Sequence, residues 1–233
     1  MYHRIATAPP SSNVPGHYVP IPRFRAHMKA LKRKGFQPVT IQQFVSGQVP
    51  AGKRAMVLTL DDGYEHWDTG ALSILREMHW TATLFLVGGR IGGTNTWDNQ
   101  HGDVVEALAG PEMVSRWITE GFEVGDHSYS HANLVDLDDH SLRGEIVESQ
   151  SAILAAIGAK PKWFCYPYGA QDDRVREAVQ QAGYSGACST RTGLNDSETD
   201  PYRYRRINIR SDTWTPVLFW KLRREERRHQ GGP

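Results

Sequence analysis

Cysteine is scarce, charge is balanced and long apolar runs are missing from these 233 residues, and each shortage removes a class of explanation. Two cysteines, Cys165 and Cys188, cannot build a disulfide framework, and both lie in apolar, strand-like surroundings that suit a buried thiol better than a bridge. So few thiols leave the cellular compartment open. With 27 basic and 26 acidic residues the net charge is +1, which gives no electrostatic footprint for nucleic acid or an anionic membrane. No stretch approaches the roughly 20 apolar residues that span a bilayer, and the start carries no basic-then-apolar signal peptide. Internal repeats are also missing, beyond an alternation of strand-like and helix-like stretches.

That alternation, in a chain of this length, fits one α/β domain with a substantial core. Residues 1–222 are read as the domain, and 223–233, a charge run, as a disordered tail that frays in solvent. Residues 24–34 place Phe24, Met28 and Leu31 at helical spacing before Gly35; a strand at 37–41 and a short helix at 42–46 follow. An apolar strand at 55–60 precedes a helix at 68–79, with Leu72, Leu75 and Met78 on one face, and a β-rich run at 81–87. A helix at 111–120 opens on Pro111 and stops at Gly121, ahead of a strand at 122–125. The clearest amphipathic helix is 141–157, with Leu142, Ile146, Ile153 and Ile157 inward, followed by a strand at 163–166. A helix at 172–182, a strand at 184–188 and a final strand at 204–209 complete the series, while 8–22, 88–102 and 190–201 read as loops.

Three short motifs end three of these strands. Asp61-Asp62-Gly63 taken alone is a turn, since Asp bonds its own backbone and Gly accepts positive φ. His127 and His131, four apart, are taken alone a weak ligand signal. Their position changes the reading, because both clusters sit at strand C-termini, where alternating β/α folds collect ligands. One Asp and two His can hold a divalent cation with positions left open, while the second Asp is free to act as a base. A third strand end leads into Pro167-Tyr168-Gly169, a rigid turn whose N–H groups can face a pocket.

The ordered set TLDDG at 59–63, HSYSH at 127–131 and YPYG at 166–169 resembles the polysaccharide deacetylase family, also called the NodB-homology domain or carbohydrate esterase family 4. That resemblance spans nearly the whole chain and implies a distorted (β/α)7-type barrel as a single domain. It implies Asp61 as general base, Asp62, His127 and His131 as metal ligands, and the Tyr168 N–H as an oxyanion donor, with Tyr166 and Pro167 in the same turn. The family's usual Arg before the third-motif Pro is replaced by Phe164-Cys165-Tyr166, and its usual late His is missing, since beyond Arg206 only His229 remains. Both departures resemble the circularly permuted deacetylases of exopolysaccharide systems, such as the poly-N-acetylglucosamine deacetylases, whose early His matches His3 in Met1-Tyr2-His3-Arg4-Ile5. The permuted resemblance calls for a strand ahead of Tyr2-His3, where this chain has only Met1, so an upstream segment is expected.

By this resemblance the reaction is hydrolysis of an N-acetyl group on a hexosamine unit of a polysaccharide or oligosaccharide, releasing acetate, with His3 as general acid. Zinc is the default ion for such a ligand set; nickel and cobalt also suit it. Arg205 or Arg206 is the candidate to steady Asp61 in place of the usual Arg. Tyr64, Trp67, Trp97, Tyr129, Tyr166 and Trp214 are candidates for stacking on sugar rings, with Trp97 and Trp214 carried forward to the binding site. A cell-envelope or extracytoplasmic setting is what the resemblance implies. The rival readings are a cyclic-amide hydrolase of the same fold and a catalytically silent carbohydrate-binding protein; a groove open at both ends, against a closed pocket, separates the first.

Overall fold

Three short runs, Thr83–Leu86, Trp163–Cys165 and Gly186–Cys188, are buried at every residue, the pattern of parallel strands covered on both faces. The structure, a computed structural model, describes residues 1–99 and 102–230; loop positions 100 and 101 and tail positions 231–233 lie outside the described residues. In chain order the strands are β1 (Phe36–Val39), β2 (Arg54–Val57), β3 (Thr59–Leu60), β4 (Thr83–Leu86), β5 (Glu123–Asp126), β6 (Trp163–Cys165) and β7 (Gly186–Cys188). The last five form one parallel sheet in the order β3-β4-β5-β6-β7, curled as a half-barrel, while β1 and β2 pair separately. The 55–60 run expected as one strand is therefore divided at Leu58: its first part serves β1 and its second serves β4.

The two ends of the half-barrel are joined by extended chain. Tyr2 lies parallel to Leu60, its N–H donating to Thr59 O at 2.9 Å and its carbonyl accepting from Asp61 N at 3.0 Å. On the far side Tyr204 bridges Cys188, and Ile209 N donates to Met1 O at 3.1 Å. The circuit then runs from β7 through 204–209 and 1–5 to β3, seven staves in all. The expected final strand at 204–209 keeps only the isolated bridge at Tyr204, because its later N–H groups turn to a loop carbonyl and to Met1. Tyr2, directly before His3, is the residue that bridges Leu60.

Helices fill the outside: α1 (Ile21–Arg33), α2 (Ile41–Val45), α3 (Ser73–Met78), α4 (Thr96–Asn99), α5 (Pro111–Thr119), α6 (Asp139–Ile157), α7 (Asp173–Gln181) and α8 (Thr215–Gln230). In α6 the Asp138 carboxylate caps Ser141 N, Gly158 closes the end at φ 71°, and Leu142, Ile146 and Ile153 are buried. Burying each such side chain is worth roughly 1.5–3 kcal/mol. The tail expected to fray is helical as far as Gln230, in a helix anchored by Leu218 in the core, with His229 Nε2 3.3 Å from Asp196 Oδ2. Both cysteines are free and buried.

Candidate functional site

Asp61 and Asp62 directly follow β3, His127 directly follows β5, and Tyr166 to Gly169 follow β6, so parallel strand direction alone brings them to one end of the barrel. Close packing sets their height. At Gly125, two residues before His127, a side chain would meet the Phe85 ring at 2.5 Å and the Trp163 carbonyl at 3.0 Å. Four non-glycine residues here hold positive φ: Asp62 at 93°, Ser128 at 64°, His131 at 66° and Tyr168 at 59°. Such backbone costs of order 1–3 kcal/mol per residue and persists where surrounding contacts over-determine it.

Those contacts are specific. The buried Asp126 carboxylate accepts from Ser128 N at 2.9 Å, Ser149 Oγ at 2.6 Å and Tyr184 Oη at 2.5 Å, and Ser128 Oγ accepts from His131 N at 3.1 Å. His127 Nδ1 donates to the Cys165 carbonyl at 2.6 Å, because a carbonyl can only accept; that fixes the tautomer and turns Nε2 inward. Trp97 stacks on the His131 ring at 4.6 Å, and the Tyr168 ring meets the same imidazole edge-on at 4.7 Å.

The resulting cluster fits a metal ion. Asp62 Oδ1 lies 3.5 Å from both His127 Nε2 and His131 Nε2, and among the described residues it is a buried oxygen with no hydrogen-bond partner. Two atoms each about 2.1 Å from one tetrahedral ion stand about 3.4 Å apart, so the spacing and donor set suit a divalent cation. Asp61, His127 and Cys165 also lie close together, but there Asp61 is already engaged. Burial alone would raise the Asp62 carboxyl, yet the two imidazoles hold it well below the usual carboxylate range.

Asp61 is gripped by Arg206, whose Nη1 donates to Oδ1 at 2.7 Å and to Thr59 Oγ1 at 3.1 Å, while Nη2 reaches Cys165 Sγ at 3.0 Å. Burial would raise the Asp61 carboxyl; Arg206 overrides it and holds it low. Of the two candidate arginines, Arg206 is buried against Asp61, whereas Arg205 is exposed. His3 stacks on His17 at 4.9 Å, and burial pushes its imidazole down to about 4 against the upward pull of Asp62 and Asp61.

The structure places several of the expected sugar-stacking residues in the core or away from the groove beside His131. Tyr166 is fully buried in the core, its hydroxyl donating to Tyr202 O at 3.2 Å, and Pro167 is buried beneath the turn. Tyr64 and Trp67 are buried as well. Trp97 lines a groove beside His131, but one ring face is spent on that histidine. Trp214, 60% exposed, lies under the Arg23 guanidinium at 3.7 Å and does not line the groove; Tyr129 packs over Gly89 instead. Tyr168, 55% exposed, does face the groove.

The sequence reading passed over Arg4, which pairs with Asp98 at 2.5 Å, Asp103 at 2.7 Å and Glu106 at 2.8 Å. This buried junction ties the loop bearing Trp97 to the segment bearing His3. Its only sequence signal was adjacency to His3; the acids lie about a hundred residues away.

A family model described as polysaccharide deacetylase matches residues 48–187. A peptidoglycan-N-acetylglucosamine deacetylase of Bacillus cereus is 28% identical over 176 residues, which cover 73% of this chain and 57% of that protein. Among solved structures, the Streptococcus pyogenes deacetylase PplD, in complex with acetate, matches with a TM-score of 0.80 at 18% identity, covering 95% of this chain and 96% of that one. IcaB from Ammonifex degensii matches with a TM-score of 0.76 at 19% identity over 94% of both chains. At such identities the structural likeness is one of fold.

Proposed function

This chain belongs to the polysaccharide deacetylase family, and we propose that it removes N-acetyl groups from N-acetylhexosamine units of a glycan by hydrolysis. The observation that carries the reading is a carboxylate steadied by a buried arginine, Asp61 with Arg206, next to the Asp62, His127 and His131 cluster. A binding protein has no use for a base kept ionised at such cost.

Asp62, His127 and His131 would hold a divalent cation of the zinc, nickel or cobalt type, which when bound would supply Lewis acidity and lower the pKa of a water toward about 7. Asp61, kept ionised by Arg206, takes the proton from water as its oxygen attacks the acetamide carbon. The Tyr168 N–H, presented by the strained turn, donates to the oxygen that becomes negative; loss of one such donor costs on the order of a hundredfold or more in rate. His3 gives a proton to the departing nitrogen as the C–N bond breaks. Burial favours the neutral ring in the resting site, pushing its pKa down to about 4, so the proton that His3 gives up is one it takes up within the turnover, as negative charge develops beside it. The products are acetate and a free amino sugar. Relatives named as peptidoglycan and chitin deacetylases support a polymer of N-acetylglucosamine as substrate and a cell-envelope setting.

The test is acetate release from N-acetylglucosamine oligomers, with chelator and metal add-back, for wild type, Asp61→Asn and His3→Ala. Loss of release on chelation, recovery with zinc, and a drop of about a hundredfold or more in both variants are expected. Release that ignores the chelator would overturn the proposal; an active His3→Ala enzyme would remove His3 as the acid.

A further inference from the structure

We infer that the outer helices α1 and α8 together form a docking face for an anionic phospholipid surface, at the end of the barrel remote from Asp61. The balanced total charge conceals a segregation. Residues 21–34, which are α1 and the Lys34 that caps it, carry six basic residues and no acidic one, and α8 carries five basic and two acidic. The rest of the chain, with 16 basic and 24 acidic residues, is net −8. The two helices pack against each other, so their cations share one side of the molecule.

Burial on the inner faces turns that charge outward. In α8, Leu218 and Glu225 are buried, while Trp220, Arg223, Arg224, Arg227 and Arg228 are exposed at spacing i, i+3, i+4, i+7 and i+8, which is a single stripe. In α1, Phe24, Met28 and Leu31 are buried, while Lys29, Lys32 and Arg33 are exposed at spacing i, i+3 and i+4. Both acids of α8 are already engaged: Glu225 by Arg224 at 2.9 Å and Arg228 at 3.4 Å, and Glu226 by Arg54. Lys29, Lys32, Arg33, Lys34, Arg223 and Arg227 have no ion pair among the described residues. A helix dipole favours cations in its last turn, but Lys29 and Arg223 lie before it, so the charge exceeds what the helices themselves use.

Trp220 favours a lipid surface over other polyanions. It is 56% exposed at one end of the arginine stripe, with the Arg224 guanidinium 5.1 Å from its ring centre. Indole is enriched at the headgroup level, and a helix face that joins it to cations is held there by apolar burial together with attraction to anionic lipid. The placement also suits an enzyme that works on a glycan. Lys34 lies just ahead of β1, Arg54 opens β2, and the Arg54–Glu226 pair holds the last turns of α8 beside them, whereas Asp61 and Asp62 lie where β3 ends. The cations gather where strands start, the groove beside His131 opens where they finish, and docking leaves that groove free.

Co-sedimentation of the full chain with vesicles tests this, using phosphatidylcholine alone and an equimolar mixture with phosphatidylglycerol. Wild type is expected to bind only the mixed vesicles, less tightly as salt is raised. Each cation near such a surface contributes roughly fivefold in affinity, so the double variant Arg223→Gln, Arg227→Gln is expected to bind about twentyfold more weakly. Trp220→Ala is expected to weaken the binding that persists at high salt, and Arg143→Gln, on the exposed side of α6, to bind as wild type. Equal binding to both vesicle types, binding to neither, or a double variant that binds as wild type overturns the inference. So does equally tight binding to heparin or single-stranded DNA with Trp220→Ala without effect on vesicles, which would make the face a general polyanion site. Acetate release from soluble oligomers is scored separately and is expected to be unchanged in every variant. Vesicle binding without acetate release in wild type would sink the deacetylase reading and leave the docking face standing.

Discussion

Arg206 Nη1 meets Asp61 Oδ1 at 2.7 Å across 145 residues of sequence, with both side chains buried. Asp61 lies beside Tyr2 at the end of β3, and Arg206 lies on the extended stretch that follows β7, so the contact forms only when the barrel circuit closes. Barrel closure and readiness of the base are one event.

Replacing Arg206 by Gln leaves the Asp61 carboxylate buried without its cation, a change that costs about 3–5 kcal/mol for a buried pair. Asp61 must be ionised to act, so activity falls as pH drops through its pKa. Arg206 holds that pKa low; its loss therefore moves the acid limb of the kcat/KM profile to higher pH. The stability consequence has a matching sign. The Asp61 contribution is present above the ordinary carboxylate value and is lost as pH falls through the depressed folded value, and Arg206→Gln removes it. An acid limb unmoved in Arg206→Gln, measured beside Arg206→Lys, would show that Arg206 does not tune the base.

Asp62 Oδ1, without a hydrogen-bond partner among the described residues, makes the cluster a frustrated site that a cation relieves. Ligand binding to the folded state alone adds about 2.7 kcal/mol of stability at a hundred times the dissociation constant. Zinc is therefore expected to raise the melting temperature of wild type, but not of Asp62→Ala or His131→Ala. Equal thermal shifts in wild type and Asp62→Ala would place the ion elsewhere.

His27 shows the pH dependence of the core away from the site. Its ring is fully buried, Nδ1 sharing a hydrogen bond with Tyr2 Oη at 3.0 Å, and burial pushes its pKa down to about 4. The folded state then favours the neutral ring, so its stability is complete above the ordinary histidine value near 6.5 and declines as pH falls from there toward 4. The span corresponds to at most about 3 kcal/mol. Urea midpoints between pH 7 and 4 should fall less steeply for His27→Leu than for wild type, although the orphaned Tyr2 hydroxyl lowers the variant's stability at every pH. Parallel slopes would mean that His27 is not the group responsible.

Local signals made the strand ends legible. The runs before Asp61 and His127 are apolar and short, and a ligand at the C-terminal end of a parallel strand needs no distant information. What stayed hidden depends on contacts remote in sequence. Tyr166 sits in a family-like motif, yet its side chain points into the core, because residues alternate in direction along β6 and beyond. Trp97 was legible as an aromatic in a polar loop, but its stacking on His131 and the Arg4 junction holding that loop follow from pairings across about a hundred residues. The helical tail was concealed by its charge, most of which lies on the solvent side of a helix that still buries Leu218 and the Glu225 carboxylate.

His79 offers a test of stability independent of the chemistry. It ends α3 in the left-handed region at φ 55° and ψ 46°, exposed to solvent, and its N–H donates to Arg76 O at 3.0 Å. A β-carbon is strained there, roughly 1–2 kcal/mol for an ordinary residue, whereas glycine adopts the conformation freely and is the usual residue at such a helix end. Part of the gain is offset by the greater freedom of glycine in the unfolded chain. His79→Gly is therefore expected to stabilise by about 0.5–1 kcal/mol, read as a higher urea midpoint at unchanged slope, with acetate release unaffected. A lower midpoint would mean that the imidazole makes a stabilising contact outweighing the backbone strain.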